Sequence, residues 1–252
     1  MRIRIAVPAL ALAERHPSGT VLGGGSGALY VALGGDVIAL TGPAVVEMPV
    51  GIGLEGPPPD LAPGTGVGLA PTGFTWPGGG IAWDGAEIYD PTIRGVQRGP
   101  WLEERVRYIE ALVPVHAEID GVGALRRAID SVDPEDAAEA AHVLTGRGGG
   151  LTPEGDDLLA ATAGAGRAVG WPDGWIRSLL APGSRARTTS LSASLLRHAV
   201  EGRVIAPLLE LWDPESSGWR LAADRLAVLG HSTGPAYLTA TALVMTGRTE
   251  TD

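Results

Sequence analysis

The pattern of apolar residues changes near residue 99, and this change constrains the fold more than any other feature. Before it, short apolar runs are interrupted by glycine and proline. Such runs between turn-forming residues predict β-strands. From Pro100 onward, apolar residues recur at helical spacing between charged ones, which predicts amphipathic helices. We therefore predict an α+β protein with a β-rich domain over residues 1–98 and an α-helical domain over residues 99–252.

In the β-rich part, the frequent turns predict a small barrel or a sandwich. The predicted strands are residues 28–33, 37–41, 45–50, 81–83 and 87–89. Gly34-Gly35-Asp36 and Asp84-Gly85 are typical hairpin turns between such runs. Residues 55–80 are rich in proline and glycine, and we expect a long irregular loop there.

In the helical part, Asp133 followed by Pro134 is a well-formed helix start, with aspartate at the cap and proline at the first position. Another helix is expected to begin at Pro153, directly after a glycine-rich segment. The predicted helices cover residues 100–112, 133–144, 153 onward, 173–181, 187–201, 203–212, 218–229 and 234–246.

Composition excludes several classes of protein. A formal charge of −10 and a pI near 5.0 argue against a nucleic-acid-binding surface. The absence of cysteine excludes disulfides, thiolate catalysis and cysteine-ligated metals. No apolar run approaches the length of a membrane span. The apolar N-terminal stretch is interrupted by Pro8 and followed by Glu14-Arg15-His16, so we expect a cytoplasmic protein without a signal peptide.

The glycine-rich segment and the helix after it form the first candidate site. Four of the five residues 146–150 are glycine, so the backbone can approach a ligand closely. With Thr152 as the predicted N-cap, the helix start offers N–H groups and a partial positive charge to a phosphate or carboxylate. The alternative is a tight connection with no ligand. The candidate anion-binding residues here are Gly148, Gly149, Gly150, Thr152 and Gly155.

Asp156 and Asp157 are the acidic candidates of this site. Adjacent residues cannot share one helix face, so at most one of them points where Thr152 and the loop amides point. Either could take part in catalysis, bind a substrate amide N–H, or hold Mg²⁺, the one cofactor that the sequence leaves open. The alternative is that both carboxylates only complement the helix dipole.

A second candidate stretch begins at Thr188 and Thr189, whose hydroxyls can cap the next helix or donate to an anion. Arg185 and Arg187, just upstream, are secondary anion-binding candidates. His198, near the end of that helix, could donate to a substrate carbonyl or carry a proton. The alternative for His198 is a favourable interaction with the C-terminal dipole.

The third stretch runs from Leu229 to Pro235 and repeats the pattern of the first, with hydroxyls and a glycine before a new helix. His231 could act as a general acid or polarise a carbonyl. Ser232, Thr233 and Gly234 are candidates for anion binding. A Ser-His-Asp triad is not predicted, because neighbouring serine and histidine in one loop rarely have the required geometry.

Residues 146–157, 188–202 and 229–235 together resemble the AllH family, which supplies a subunit of oxamate carbamoyltransferase in anaerobic allantoin breakdown. The three blocks agree with the family in order and spacing. The chain departs from the family at Arg147, Gly149 and Glu154, where apolar, proline and serine residues are usual. It also lacks the His-Ser pair of the family's first hairpin. These departures concern the substrate more than the fold.

The resemblance implies carbamoyl transfer between carbamoyl phosphate and oxamate, with phosphorolysis of oxalurate as the physiological direction. It also implies a complex with two other kinds of subunit. Two alternatives remain: a non-catalytic anion-binding or scaffold subunit, and a standalone enzyme acting on another amide or ureide. The expected partners are a small anionic substrate and other carbamoyltransferase subunits, with a homo-oligomer left open. We expect the three blocks to converge at one site.

Overall fold

The computed structural model describes residues 2–25, 27–113, 121–180, 183 and 186–247. The chain divides into two compact units, Met1–Pro91 and Thr92–Asp252. A curled sheet forms the N-terminal part and helices form the C-terminal part, so the α+β prediction is confirmed. None of the described helices has the length and apolar character needed to span a bilayer.

The first unit is a sheet whose described strands follow the order β8-β7-β6-β2-β3-β4-β5-β1-β9. Neighbouring strands are antiparallel except for the parallel pairs β4–β5 and β1–β9. The strands are β1 (Ile3–Ala6), β2 (Ser18–Gly25), β3 (Ala28–Leu33), β4 (Asp36–Thr41), β5 (Gly51–Leu54), β6 (Gly66–Ala70), β7 (Gly73–Trp76), β8 (Gly79–Ala82) and β9 (Glu87–Tyr89). Helix α1 (Val7–Arg15) contributes Leu12 to the core, which also contains Val31, Leu40 and Phe74.

The hairpin predicted at residues 34–36 is confirmed. Leu33 pairs with Asp36 across β3 and β4, and Gly34 and Gly35 adopt φ values of 58° and 86°. Two successive positive φ values match the turn that suits the twist of paired strands. The hairpin predicted at Asp84-Gly85 is wrong, because β8 pairs with β7 whereas β9 pairs with β1.

Two further predictions for this unit are wrong. Residues 45–50 form turns and bends and not a strand, because the parallel pair β4–β5 needs a connection between its strands. Residues 55–80 are not one loop, since they contain β6, β7 and the start of β8. Their glycines serve close strand packing: a Cβ on Gly68 would lie 2.5 Å from Thr75 Oγ1.

The second unit is helical. Its described helices are α2 (Trp101–Leu112), α3 (Val122–Ser131), α4 (Pro134–Leu144), α5 (Glu154–Ala168), α6 (Asp173–Ser178), α7 (Ser190–Val200), α8 (Ala206–Trp212), α9 (Trp219–Ala227) and α10 (Thr233–Thr246). Asp133 caps α4 by accepting from the Glu135 N–H at 2.8 Å, as predicted. The sequence analysis missed α3, which starts after Gly121 in a left-handed conformation without a side-chain cap.

Helices α5, α7 and α10 lie parallel to one another, with their N-terminal ends together. Thr188, just before α7, donates to Asp156 in the first turn of α5, and Thr233 of α10 contacts Thr152. At the other end, Arg167 of α5 donates to the Val200 carbonyl of α7 at 2.7 Å. Parallel neighbours place helix ends of the same polarity side by side, which is unfavourable unless opposite charge is supplied there.

Candidate functional site

The glycine loop connects α4 to α5, and α5 begins one residue later than predicted. Pro153 occupies the N-cap position, and no side chain caps the helix. The prediction that Thr152 is the N-cap is therefore wrong. The Thr152 hydroxyl instead lies 2.9 Å from the hydroxyl of Thr233. The Thr152 hydroxyl thus contacts α10 and does not cap α5. The sequence around Thr152 cannot reveal a contact with so distant a segment.

The glycines of this loop differ in backbone conformation and in what surrounds them. Gly146, Gly148 and Gly150 have positive φ values of 75°, 99° and 89°, whereas the residues between them do not. Gly149 and Gly150 face open space, since a Cβ added to either would meet nothing within 4 Å. Within the described part of the chain, no hydrogen bond engages the backbone N–H groups of residues 148–152. These N–H groups are therefore available to a ligand.

Gly155 is not available in this way. Its N–H donates to the Arg147 carbonyl at 2.9 Å. A Cβ at this position would lie 2.0 Å from the carbonyl oxygen of Leu144. Gly155 therefore lets α5 start directly against the end of α4, and its role in anion binding stays a prediction that its N–H does not support.

Asp156 joins the loop to the second stretch. Its Oδ1 accepts the Gly146 N–H at 2.9 Å, and its Oδ2 accepts the Thr188 hydroxyl. The side chain is buried, and burial raises the pKa of Asp156, while the hydrogen bonds from Thr188 and Gly146 lower it. Both carboxyl oxygens of Asp156 therefore make structural hydrogen bonds that link the start of α5 to the loop and to the residue before α7.

Asp157 faces the third stretch. It is 2% exposed, and its Oδ2 has no hydrogen-bond partner among the described residues. Burial raises the pKa of Asp157 from 3.8 to about 8, although hydrogen bonds from the hydroxyls of Thr233 and Thr152 oppose that rise. At neutral pH this carboxyl is mostly protonated.

Thr189 and Arg187 are occupied by structural contacts. Thr189 caps α7 by accepting from the Ser192 N–H at 3.0 Å, which confirms one of the predicted hydroxyl caps. The same hydroxyl donates to the Leu151 carbonyl at 2.6 Å, so it secures the loop. Arg187 donates to the His142 carbonyl at 2.6 Å, at the end of α4. Arg185 lies outside the described residues.

In the third stretch, Thr233 faces the loop and Gly234 does not. The Gly234 N–H donates to the Leu229 carbonyl at 2.9 Å, and a Cβ there would lie 1.6 Å from the Leu226 carbonyl oxygen. The Gly234 N–H is therefore not open to a ligand, and a role for Gly234 in anion binding stays a prediction. Ser232 occupies the N-cap position of α10 without a side-chain cap bond. His231 is exposed in the turn just before it.

His198 lies at the other end of the three parallel helices. It is in the last turn of α7, about 13 Å along the helix axis from Thr189 at 1.5 Å per residue. Its Nδ1 accepts from Arg203 Nε at 2.9 Å. The expectation that all three blocks converge is therefore met by Asp156, Thr188 and Thr233, but His198 does not join them.

The two aspartates do not form a metal site with other described residues. No group of three histidine, aspartate or glutamate side chains among them could hold an ion. Both Asp156 oxygens already accept hydrogen bonds. The Mg²⁺ prediction gains no support from this geometry.

Sequence reasoning missed Tyr237, which follows Thr233 by one turn of α10 and therefore shares its face. The ring is buried, and burial together with the charge of Asp157 raises the pKa of Tyr237. The four-residue spacing from Thr233 was the available signal.

A separate cavity of about 530 Å³ lies on the sheet unit, beside β6, β7 and β8. Phe74 and Ile81 line it, with Thr72 and Thr75 as its hydroxyls. None of the described residues that line it is ionisable, so it offers none of the charged chemistry of the loop.

All the contacts that bring the three stretches together fall within one region of the chain. Residues 144–245 match the family model described as oxamate carbamoyltransferase subunit AllH. The resemblance found in the sequence is thereby confirmed for this region. The AllH match includes the loop, both aspartates, Thr188 and the start of α10. No curated protein and no solved structure matches the chain.

Proposed function

We propose that this protein is a carbamoyltransferase subunit of ureide catabolism that binds carbamoyl phosphate, or a similar small anion, at the glycine loop. The observation that carries the proposal is the set of N–H groups at residues 148–152 without a described partner. They lie where the N-terminal ends of α5, α7 and α10 meet. The AllH match over the same residues supports the choice of anion.

The electrostatics of the junction favour an anion. Each helix N-terminus carries roughly half a positive charge, and three such ends meet here. Alternating signs of φ along residues 146–150 are a feature of backbone concavities that turn successive N–H groups toward an anion. The carboxyl closest to Thr152 and Thr233, Asp157, is mostly protonated at neutral pH, so it adds little repulsion.

The chemistry of carbamoyl transfer needs donors for the phosphate and donors for the carbamoyl oxygen as negative charge develops on it. The loop N–H groups and the Thr152 and Thr233 hydroxyls supply donors of this kind. His231, in the exposed turn before α10, is our candidate for the general acid. No covalent nucleophile is required.

A non-catalytic anion-binding or scaffold subunit is the second candidate function. The position of His198 favours it, because one of the two predicted proton carriers lies at the far end of α7. Under this alternative the chain holds the anion, and a partner subunit supplies the remaining catalytic groups. A standalone enzyme acting on another amide or ureide is the third candidate.

The test of anion binding is a calorimetric titration of the purified chain with inorganic phosphate and with carbamoyl phosphate. Gly149→Asp places a negative charge in the open loop, and Gly149→Asn is its neutral control of the same shape. Since a Cβ at Gly149 meets nothing within 4 Å, both variants are expected to fold. We expect Gly149→Asp to weaken binding at least about tenfold and Gly149→Asn to bind like the wild type. Equal affinities for the three proteins would exclude the loop as the binding site.

A second assay separates the three functions. Oxalurate breakdown is measured with the chain alone and with its partner subunits, each with and without phosphate. Phosphate-dependent turnover that Gly149→Asp reduces would support the transferase. Binding without turnover, even with partners present, would favour the scaffold subunit. Turnover of an amide or ureide without phosphate would favour a standalone enzyme.

A further inference from the structure

The outer face of α9 carries two exposed apolar side chains. Leu221 is 55% exposed, and Val228, the C-cap residue of the helix, is 81% exposed. Because they are seven residues apart, they share one face and lie about 10 Å apart along the helix axis. The buried residues of α9 lie on the opposite face; they are Trp219, Ala222, Ala223 and Leu226. Leu221 and Val228 therefore make no contribution to the core.

Two charged residues lie midway between the apolar ones. Asp224 and Arg225 are both exposed. Asp224 follows Leu221 by three residues, and Arg225 precedes Val228 by three. At 3.6 residues per turn, all four side chains fall within about 100° of the helix surface. We call these four residues the α9 stripe.

Both charges of the α9 stripe can accept a partner. Asp224 Oδ1 accepts the Tyr108 hydroxyl at 2.9 Å, which fixes the carboxylate on the surface. Within the described part of the chain, Asp224 Oδ2 and the Arg225 guanidinium have no hydrogen bond or ion pair. The neighbouring Arg220 differs, because it pairs with Glu104. The α9 stripe thus presents one carboxylate oxygen and one guanidinium between two apolar side chains.

The α9 stripe is complementary to itself. A twofold axis that passes between Asp224 and Arg225, perpendicular to the helix, would bring two copies of α9 together antiparallel. Each Asp224 then faces Arg225 of the second copy, and each Leu221 faces Val228 of the second copy. A twofold interface requires this kind of match, since the same surface is used by both subunits. The apolar contacts at each end would shield the two central ion pairs from water.

We propose that a second copy of this chain docks on the α9 stripe, so that the protein forms a twofold dimer through antiparallel α9 helices. The second copy supplies the carboxylate, the guanidinium and the apolar side chains at the spacing that the stripe requires. A helix of nine residues is about 14 Å long, so the contact is smaller than the roughly 800 Å² per partner of a standard interface. The dimer is therefore weak and depends on protein concentration. The inference does not depend on the anion site.

The test is sedimentation velocity of the whole chain between about 5 μM and about 500 μM. Salt near 0.15 M screens the repulsion between two chains of charge −10. We expect the wild type to shift from monomer to dimer over this range. Arg225→Asp places a carboxylate opposite Asp224 of the second copy, and we expect it to weaken dimerisation at least about tenfold. Arg126→Asp, at an exposed position of α3, makes the same change in net charge and should dimerise like the wild type.

A mixing experiment shows whether the two charges face each other. Arg225→Asp makes both central positions acidic, and Asp224→Arg makes both basic. Neither variant should self-associate, but an equimolar mixture should form a heterodimer. The double variant Asp224→Arg, Arg225→Asp exchanges the two charges and should self-associate like the wild type. A variant that loses association through misfolding would not be rescued in either way.

Several outcomes would overturn the inference. A wild type that stays monomeric at about 500 μM forms no such dimer. Equal dissociation constants for the wild type and Arg225→Asp would mean that the copies meet at another surface. An equal loss of association in Arg126→Asp would mean that net charge is responsible. If Asp224→Arg does not fold by circular dichroism, the comparison of Arg225→Asp with Arg126→Asp still distinguishes these cases.

The mixing experiment adds one further contradiction. If both single variants fold and are monomeric, but neither their mixture nor the double variant associates, the central charges do not face each other and the antiparallel arrangement is wrong. No ligand is present in any of these measurements. Their failure would therefore leave the anion site of the proposed function untouched.

Discussion

The two ends of the helices α5, α7 and α10 are completed in opposite ways. At the C-terminal end, the protein supplies its own donors. Arg167 bonds the Val200 carbonyl at 2.7 Å, Arg98 bonds the Val244 carbonyl at 2.8 Å, and the Val96 N–H bonds the Ala168 carbonyl at 2.8 Å. At the N-terminal end, loop N–H groups have no described partner and Asp157 Oδ2 has none either. The Ala168, Val200 and Val244 carbonyls thus have internal donors, whereas the loop N–H groups have no described partner.

This difference separates stability from binding. Helix ends need partners for their unpaired backbone groups, and an end whose partners are all internal gains nothing from a ligand. Changes at the C-terminal end should therefore affect folding alone. Changes at the N-terminal end should affect binding, except where a residue lets two backbones approach closely.

The largest effect is expected at Gly155, the exception on the N-terminal side. Gly155→Ala would place a Cβ 2.0 Å from the Leu144 carbonyl oxygen, so α5 must move away from α4. We expect a loss of about 4 kcal/mol in the free energy of unfolding. Gly149→Ala is the control, since its Cβ meets nothing within 4 Å. If Gly155→Ala and Gly149→Ala had equal midpoints in urea denaturation, the protein would tolerate the displacement of α5 from α4.

Asp157→Asn should change stability in the opposite direction. Folding raises the pKa of Asp157 from 3.8 to about 8, so the folded state keeps a proton that the unfolded state loses. The wild type therefore loses stability as the pH rises from about 4 to about 8. Asparagine does not titrate, and its advantage should grow over that range by at most about 1.4 kcal/mol per pH unit.

The measurement is urea denaturation of both proteins at several pH values, with Glu154→Gln as the charge control. We expect the two free energies of unfolding to diverge with rising pH and then to run parallel above pH 8. A constant difference across the range would mean that Asp157 titrates normally in the folded protein. Such a stabilised variant would illustrate the cost of keeping an ionisable group at a functional site.

At the C-terminal end, Arg98→Met should lower stability by about 2 kcal/mol, because it removes charge-assisted hydrogen bonds to the Val244 and Met245 carbonyls. Phosphate affinity should not change. Arg94→Met is the matched control on the same segment, where the side chain is exposed. A loss of phosphate binding in a folded Arg98→Met protein would contradict the view that the C-terminal end affects stability and not binding.

The sequence predicted what local spacing determines. It located α4 from its Asp133 cap and β3 from an apolar run between turns, and the structure has both. It failed where a distant segment decides. Glycines in β6 and β7 indicated a loop, but a Cβ on Gly73 would lie 2.9 Å from the Ile81 carbonyl oxygen of the neighbouring strand. No local pattern contains that information.

The same distinction applies within the site. The candidate residues Asp156, Thr188 and Thr233 are brought together as expected, since each lies at or beside a helix start that the sequence reveals. The hydroxyl contact between Thr152 and Thr233 joins segments 81 residues apart, so the preference for a local cap at Thr152 could not predict it. Motif spacing indicates which helices meet, but not which atoms.

His198 provides the smallest expected effect and the most direct test of the contrast between the two ends. The motif that contains it begins at the loop, yet a helix carries each successive residue 1.5 Å further away, and His198 pairs with Arg203 at the C-terminal end. We expect His198→Gln to leave phosphate affinity within about twofold, a difference below about 0.5 kcal/mol. His231→Gln, in the turn before α10, should weaken binding more. If titration shows the reverse order, the ligand lies at the arginine-capped end, and the unpaired loop N–H groups are structural.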